Sequence, residues 1–176
     1  MSDKTKKNLK INRIQLVKFD KKYINDLYEY SSMNEFYKYM QSKPHKSVTE
    51  TEEYFLTKSE EEGTYLFLVK NVLEKKVIGS IIINKLDKLN LSANIGYGLN
   101  PKYWGNGYLK EMLLLAEKKA KEDLYIHRLE AVTMNINISS IGGLKSCDYK
   151  QVGVIEGYYL FSDNKRYDAS LFSKIL

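Results

Sequence analysis

Residues 95–109 read Ile95-Gly-Tyr-Gly-Leu-Asn-Pro-Lys-Tyr-Trp-Gly-Asn-Gly-Tyr-Leu109 and hold four of the ten glycines and one of the two prolines, so unusual backbone geometry is concentrated there. An alternating apolar run over 91–99 stops at Asn100-Pro101, where proline removes a ladder donor. A turn, Trp104-Gly105-Asn106-Gly107, follows. Apolar side chains at 109, 112, 113, 116 and 120 then fall on one face of a helix over 108–121. The order is strand, glycine turn, helix. The first N–H groups of a helix lack intrahelical partners, and the dipole there is positive. A phosphate or pyrophosphate suits such a place. Glycines present for a tight turn alone would read the same way, so the turn does not decide between the two.

Known nucleotide patterns narrow the choice. Gly96 and Gly98 lie inside the strand and have no third glycine at dinucleotide-binding spacing. No Lys-Ser or Lys-Thr follows Gly107, which excludes a P-loop.

Working outward, 176 residues suit one domain with a sizeable core. A composition of 43% hydrophobic and 28% charged residues is ordinary for a globular chain. No apolar run is long enough for a transmembrane helix, and the first ten residues lack the apolar centre of a signal peptide. Cys147 is the single cysteine, so an intrachain disulfide is ruled out and a cytoplasmic setting is expected. His45 and His127 stand apart from one another and from Cys147, so no metal is expected. The net charge is +6, but the lysines recur beside Glu or Asp throughout. That is a mixed solvated surface with a basic tail rather than a nucleic-acid face. A modest positive field would still attract an anionic cofactor.

In chain order, residues 1–10 read as a basic flexible tail and 11–176 as the domain. Strands are expected over 11–19, 64–70, 76–83, 90–99, 128–135, 149–161 and 167–175. Asp20 caps a helix to about 31, with Ile24, Leu27 and Tyr28 inward. Residues 34–40 read as a second short helix. Ser47-Val-Thr-Glu50 is a capping box for a helix that Gly63 closes. The last helix spans 138–147, and Ser162-Asp-Asn-Lys165 is a turn. The strands flanking the 108–121 helix need a crossover and so run parallel, whereas the hairpins are antiparallel. The expected class is a single-domain mixed α/β fold.

These pieces resemble the GNAT superfamily of N-acyltransferases, and the ribosomal-protein N-terminal acetyltransferase branch in particular. Ala93-Asn-Ile-Gly-Tyr-Gly-Leu99 resembles the branch's Ala-Glu-Ile-Gly-Tyr-x-Leu strand, and Tyr103-Trp-Gly-Asn-Gly-Tyr108 its Tyr-Trp-Gly-Lys-Gly-Tyr turn. His127-Arg-Leu-Glu-Ala131, Asn137-Ile-Ser-Ser140, Gly157-Tyr-Tyr159 and Arg166-Tyr-Asp168 match further segments in the right order. Against the acyl-CoA turn [Gln/Arg]-x-x-Gly-x-[Gly/Ala], Gly107 fits, while Trp104 and Leu109 depart at the first and last positions. The resemblance implies a mostly antiparallel sheet with helices on both faces and two splayed parallel central strands. It also implies acetyl-CoA as cofactor.

The roles carried over are as follows. Gly98, Leu99 and Asn100 would pair strand-fashion with pantetheine. Trp104, Gly105, Asn106, Gly107, Tyr108 and Leu109 would hold the pyrophosphate, and Asn137 would hydrogen-bond the pantetheine arm or serve only as an N-cap. Ser140 would lie near the thioester as a hydrogen-bond donor. Asn94 stands where the branch often has Glu, and would orient a water. Leu144 stands where many relatives have a Tyr acid. Asp148-Tyr149 replaces the Gly-Phe that ends the helix, and Gly142 and Gly143 are expected to loosen that helix at about 1 kcal/mol each. His127 falls at the far end of its strand, so a structural role is expected. The implied reaction is acetyl transfer to a primary amine on a protein N-terminus, polyamine, aminosugar or antibiotic. A non-catalytic acyl-CoA-binding module is the alternative. The reading involves no membrane and allows a homodimer.

Overall fold

Apolar alternation gathers seven strands into one sheet in the computed structural model, which describes residues 13–161 and 164–176. The strands are β1 (Ile14–Val17), β2 (Tyr65–Asn71), β3 (Val77–Asp87), β4 (Ser92–Leu99), β5 (Arg128–Met134), β6 (Lys150–Leu160) and β7 (Arg166–Ile175). Their order across the sheet is β1-β2-β3-β4-β5-β7-β6. Every neighbouring pair is antiparallel except β4 and β5, which run parallel. The crossover that a parallel pair requires is α3 (Tyr108–Asp123).

Helices cover both faces, as expected. α3 and α4 (Ile138–Ser146) bury Met112, Leu113, Ala116, Ala120 and Leu144 against Ile81, Ile83, Ala93, Ile95, Leu129 and Phe172. On the other face, α1 (Ile24–Ser31) and α2 (Val48–Glu60) bury Leu27, Tyr30 and Phe55 against Leu66, Leu68 and Val77. The helical stripe read from the sequence is therefore the stripe that faces the core.

The caps form with small shifts. The Asp20 carboxylate accepts from Lys22 N–H at 3.0 Å and opens a 3-10 turn, Lys21–Tyr23, that runs into α1. Of the inward trio expected there, Leu27 is fully buried and Ile24 and Tyr28 are half-buried. Ser47 accepts from Glu50 N–H at 3.1 Å, but the Glu50 carboxylate reaches back to Lys46 N–H at 2.7 Å, one residue before the cap. α2 ends at Glu60, and Gly63, at φ 71°, turns the chain toward β2 rather than closing the helix.

The helix expected over 34–40 does not form. Tyr37 N–H, Lys38 N–H and Met40 N–H bond three residues back, to Asn34, Glu35 and Tyr37, as successive turns. Seven residues are too few to nucleate a helix alone. Packing also pulls Phe36 onto Tyr30 and Tyr37, with ring centroids at 4.8 Å and 5.0 Å. The basic tail, Ile11, Ser162 and Asp163 lie outside the described residues.

Candidate active site

β4 and β5 pair over three residues only: Ser92 with Arg128, Ala93 with Leu129 and Asn94 with Glu130. β4 nevertheless stays paired with β3 as far as Leu99, and β5 stays paired with β7 as far as Met134. Each strand is held by its outer neighbour while the two part from one another, which opens a wedge in the middle of the sheet. Asn100 N–H donates to Ile78 O at 2.8 Å. By the alternation of an antiparallel ladder, Gly96 and Gly98 then turn their backbone groups to β3, and Tyr97 and Leu99 turn theirs into the wedge. The Leu99 carbonyl is met there by the Trp104 indole N–H at 2.8 Å. An extended guest carrying amides can pair with the Tyr97 groups and the Leu99 N–H as a strand would.

At the wedge's mouth, Gly105 and Gly107 take φ 74° and 79°, a left-handed region that side chains disfavour. Gly107 is the N-cap of α3. Among the described residues, the N–H groups of Gly105 through Lys110 make no hydrogen bond. Arg13 lies beside this turn. Its Nε donates to Glu111 at 2.8 Å, its NH2 group donates to Asn106 O at 3.0 Å, and its guanidinium stacks 4.3 Å from the Tyr108 ring centre. Tyr103 and Tyr108 meet edge to face at 5.7 Å, and Asn71 donates to the Tyr108 hydroxyl at 3.2 Å. Converging N–H donors at a helix N-terminus form a seat for a polyanion such as a pyrophosphate, beside the Arg13–Glu111 ion pair.

A second charged knot anchors the strand end. Glu29 pairs with Lys76 and, at 3.0 Å, with Lys102, and accepts from Asn100 Nδ2 at 3.3 Å. Burial would raise the Glu29 carboxyl, but the hydrogen bonds from Lys76, Lys102 and Asn100 outweigh it and hold the group at about 2. Asn100 is fully buried and also caps the next turn by accepting from Lys102 N–H at 3.0 Å.

α4 supplies the remaining wall. Asn137 accepts from Ser140 N–H at 3.2 Å as an N-cap, and its Nδ2 has no partner among the described residues. The Ser140 hydroxyl meets the Tyr97 hydroxyl at 2.8 Å. Burial pushes Tyr97 up to about 12, with Ser140 pulling the other way, so at neutral pH the pair holds its protons and can donate. α4 is a regular helix despite its two glycines. A Cβ on Gly143 would stand 2.3 Å from Leu109 Cδ2, so Gly143 makes room for the leucine that replaces the small residue of the glycine turn. Leu144 is fully buried in the core.

The resulting cleft holds about 770 Å³ and runs through the sheet from α3 and α4 to residues 36–42. Of the expected site residues, Gly98, Leu99, Trp104, Gly105, Gly107, Tyr108, Leu109, Asn137 and Ser140 line it together. Asn94, Asn100 and Asn106 do not. Asn94 stands at the last paired rung, Asn100 faces Glu29, and Asn106 braces the turn with a 3.0 Å bond to Trp104 O. The histidines are also elsewhere: His45 bonds Thr51 at 2.9 Å, and His127 sits at the paired end of β5. Tyr97 and Arg13 were not expected as site residues. Tyr97 carried a weak signal, as the aromatic in Ile-Gly-Tyr, and Arg13 carried none. Among the described residues no group of His, Cys, Asp and Glu gathers as a metal would need, and no helix is long and apolar enough to cross a membrane.

Comparison with known proteins agrees with this geometry. The chain is 28% identical over 169 residues to Uncharacterized N-acetyltransferase p20 of Bacillus licheniformis, an alignment covering 88% of this chain and 94% of that one. Among solved structures, spermidine N-acetyltransferase from Vibrio cholerae, in complex with CoA and spermine, superimposes with a TM-score of 0.81 at 15% identity, over 93% of this chain and 95% of that one. Ribosomal-protein-S5-alanine acetyltransferase from Vibrio fischeri gives 0.80 at 17% identity, over 93% of each. At such identities the likeness is one of fold, and the ribosomal-protein branch is one neighbour among several. Residues 13–150 match the family model described as an acetyltransferase (GNAT) domain, and the chain belongs to that family of acetyltransferases.

Proposed function

We propose that this enzyme moves an acetyl group from acetyl-CoA to a primary amine by direct attack. The observation that carries the reading is the wedge, where β4 and β5 part after Asn94 and Glu130 beside a turn rich in unpaired N–H groups. Bound acetyl-CoA supplies a thioester: the amine forms the new N–C bond, the C–S bond breaks, the amine's proton leaves to water and the thiolate gains one. The N–H groups of Gly105 to Lys110 would receive the pyrophosphate. The Tyr97 backbone, the Leu99 N–H and the Asn137 amide take the pantetheine amides. Ser140, backed by Tyr97, donates toward the departing sulfur. Asn94, an amide that cannot accept the proton and stands outside the cleft at the last paired rung, takes no step here, and the proton passes to water.

The test is a panel of primary amines with acetyl-CoA, read by mass spectrometry for a gain of one acetyl group and by a thiol reagent for CoA in equal amount. CoA binding with no acetylated amine in the panel would sink the reading.

A further inference from the structure

On the face of α1 and α2 the wedge is roofed by Phe36, Tyr39, Met40, Gln41 and Ser42, and Tyr159 of β6 also lines it. The roof is held at both ends. The Phe36 ring lies against Gly98, where a Cβ would stand only 2.6 Å from it. Gln41 Nε2 donates to Leu160 O at 3.0 Å. This chamber is therefore a built wall rather than a loose loop.

The wall lacks negative charge. Among the described residues no Asp or Glu lines any part of the cleft, and Lys110 is its one Lys or Arg. Three carboxylates close by have partners of their own. Glu130, at the last rung, pairs with Arg128. Asp168 accepts from Gly157 N–H at 2.9 Å and from Asn135 at 3.4 Å. Glu50 accepts from Lys46 N–H at 2.7 Å. Residues 34–46 carry one acid, Glu35, against Lys38, Lys43 and Lys46. Lys38 Nζ already stands 5.2 Å from the Tyr39 ring centre, which repels a second cation from that ring.

We infer that the acceptor is a molecule with a single amine on an apolar or aromatic body, and that polycations such as polyamines and aminoglycosides are turned away. The inference rests on the acetyl-transfer reading and narrows its acceptor. The attacking amine must shed its proton, which a lining free of carboxylates among the described residues favours. Every further ammonium of a polycation keeps its desolvation penalty, since the described lining residues offer no carboxylate to offset it. Rings, a thioether and an amide instead complement an apolar body carrying a single polar group.

The test compares L-phenylalaninamide, spermidine and kanamycin as acceptors with acetyl-CoA. We expect kcat/KM for phenylalaninamide to exceed both others by at least roughly tenfold. Met40→Glu, which adds a carboxylate to the wall, should raise spermidine turnover about tenfold and lower that of phenylalaninamide. Spermidine or kanamycin used as well as phenylalaninamide by the parent protein overturns the inference. If no amine is acetylated, calorimetry on the CoA-loaded protein separates the two readings. Phenylalaninamide binding with spermidine silent supports the chamber's selectivity while acetyl transfer fails. Tighter spermidine binding, or binding of neither, overturns it.

Discussion

Tyr97 holds its proton because it is buried, and it spends its hydroxyl on Ser140. A donor pair of that kind steadies a developing thiolate without needing to titrate near neutrality. Tyr97→Phe and Ser140→Ala are therefore each expected to lower kcat by roughly ten- to a hundredfold while CoA affinity stays nearly constant. With Tyr97 near 12, the rate should climb with pH toward the amine's own pKa, with no separate enzyme limb near pH 7. Full activity in Tyr97→Phe would remove the pair from the mechanism. Glu29 governs a different pH range. Its folded value of about 2 lies below the ordinary 4.5, so its contribution to stability is complete above 4.5 and is lost as pH falls toward 2. Glu29→Gln should flatten the stability profile in that window, as read by urea midpoints at each pH, and an unchanged slope would refute the assignment. Ser140 and Gly107 stand out in short local patterns and are brought to one cleft by the fold. Tyr97 and Arg13 do not stand out in this way, because the partners that give them meaning lie 43 and 98 residues away.

At the scale of elements, α4 separates two neighbouring glycines that look alike in sequence. Gly142 faces open space, so Gly142→Ala should stabilise the protein without CoA by about 1 kcal/mol through helix propensity alone. Gly143→Ala gains the same propensity but drives its methyl into Leu109, and overpacking costs about 1–3 kcal/mol, so the net change should be destabilising. Paired urea denaturation curves with the same sign for both variants would contradict the contact. The helix ends in a Schellman motif: Tyr149 N–H bonds Leu144 O at 3.1 Å, and Asp148 N–H bonds Lys145 O at 3.1 Å. Asp148 takes φ 63° there, so Asp148→Gly should add about 1 kcal/mol by the same measurement, because glycine meets no Cβ penalty in the left-handed region. Residues 34–40 do not form the expected helix because Phe36 is drawn onto Gly98 and Tyr30, far from it in the chain, as well as onto Tyr37.

For the whole molecule, a ligand that binds only the folded state must stabilise it, by about 2.7 kcal/mol at a hundred times its Kd. CoA is expected to raise Tm, and Gly107→Val to abolish that rise by straining the turn and crowding Arg13, which lies 3.5 Å from a Cβ built there. Gly63→Ala is the control, with φ 71° and no neighbour within 4 Å: it should lose stability yet keep the CoA shift. A Gly107→Val protein that folds and keeps the full shift would displace the phosphate seat from this turn. The order of the strands, and of the helices apart from the one expected over 34–40, the caps at Asp20, Ser47 and Asn137, and the turn at Gly105 and Gly107 were determined by the sequence alone. Periodicity, capping and positive φ are local properties, written within a few residues of where they act. The length of the β4–β5 ladder, the meeting of Tyr97 with Ser140, the exchange of bulk between Leu109 and Gly143 and the absence of carboxylates among the described residues lining the chamber under Phe36 were decided only by the tertiary structure. Each depends on packing between residues far apart in the chain, whose separation no local pattern records.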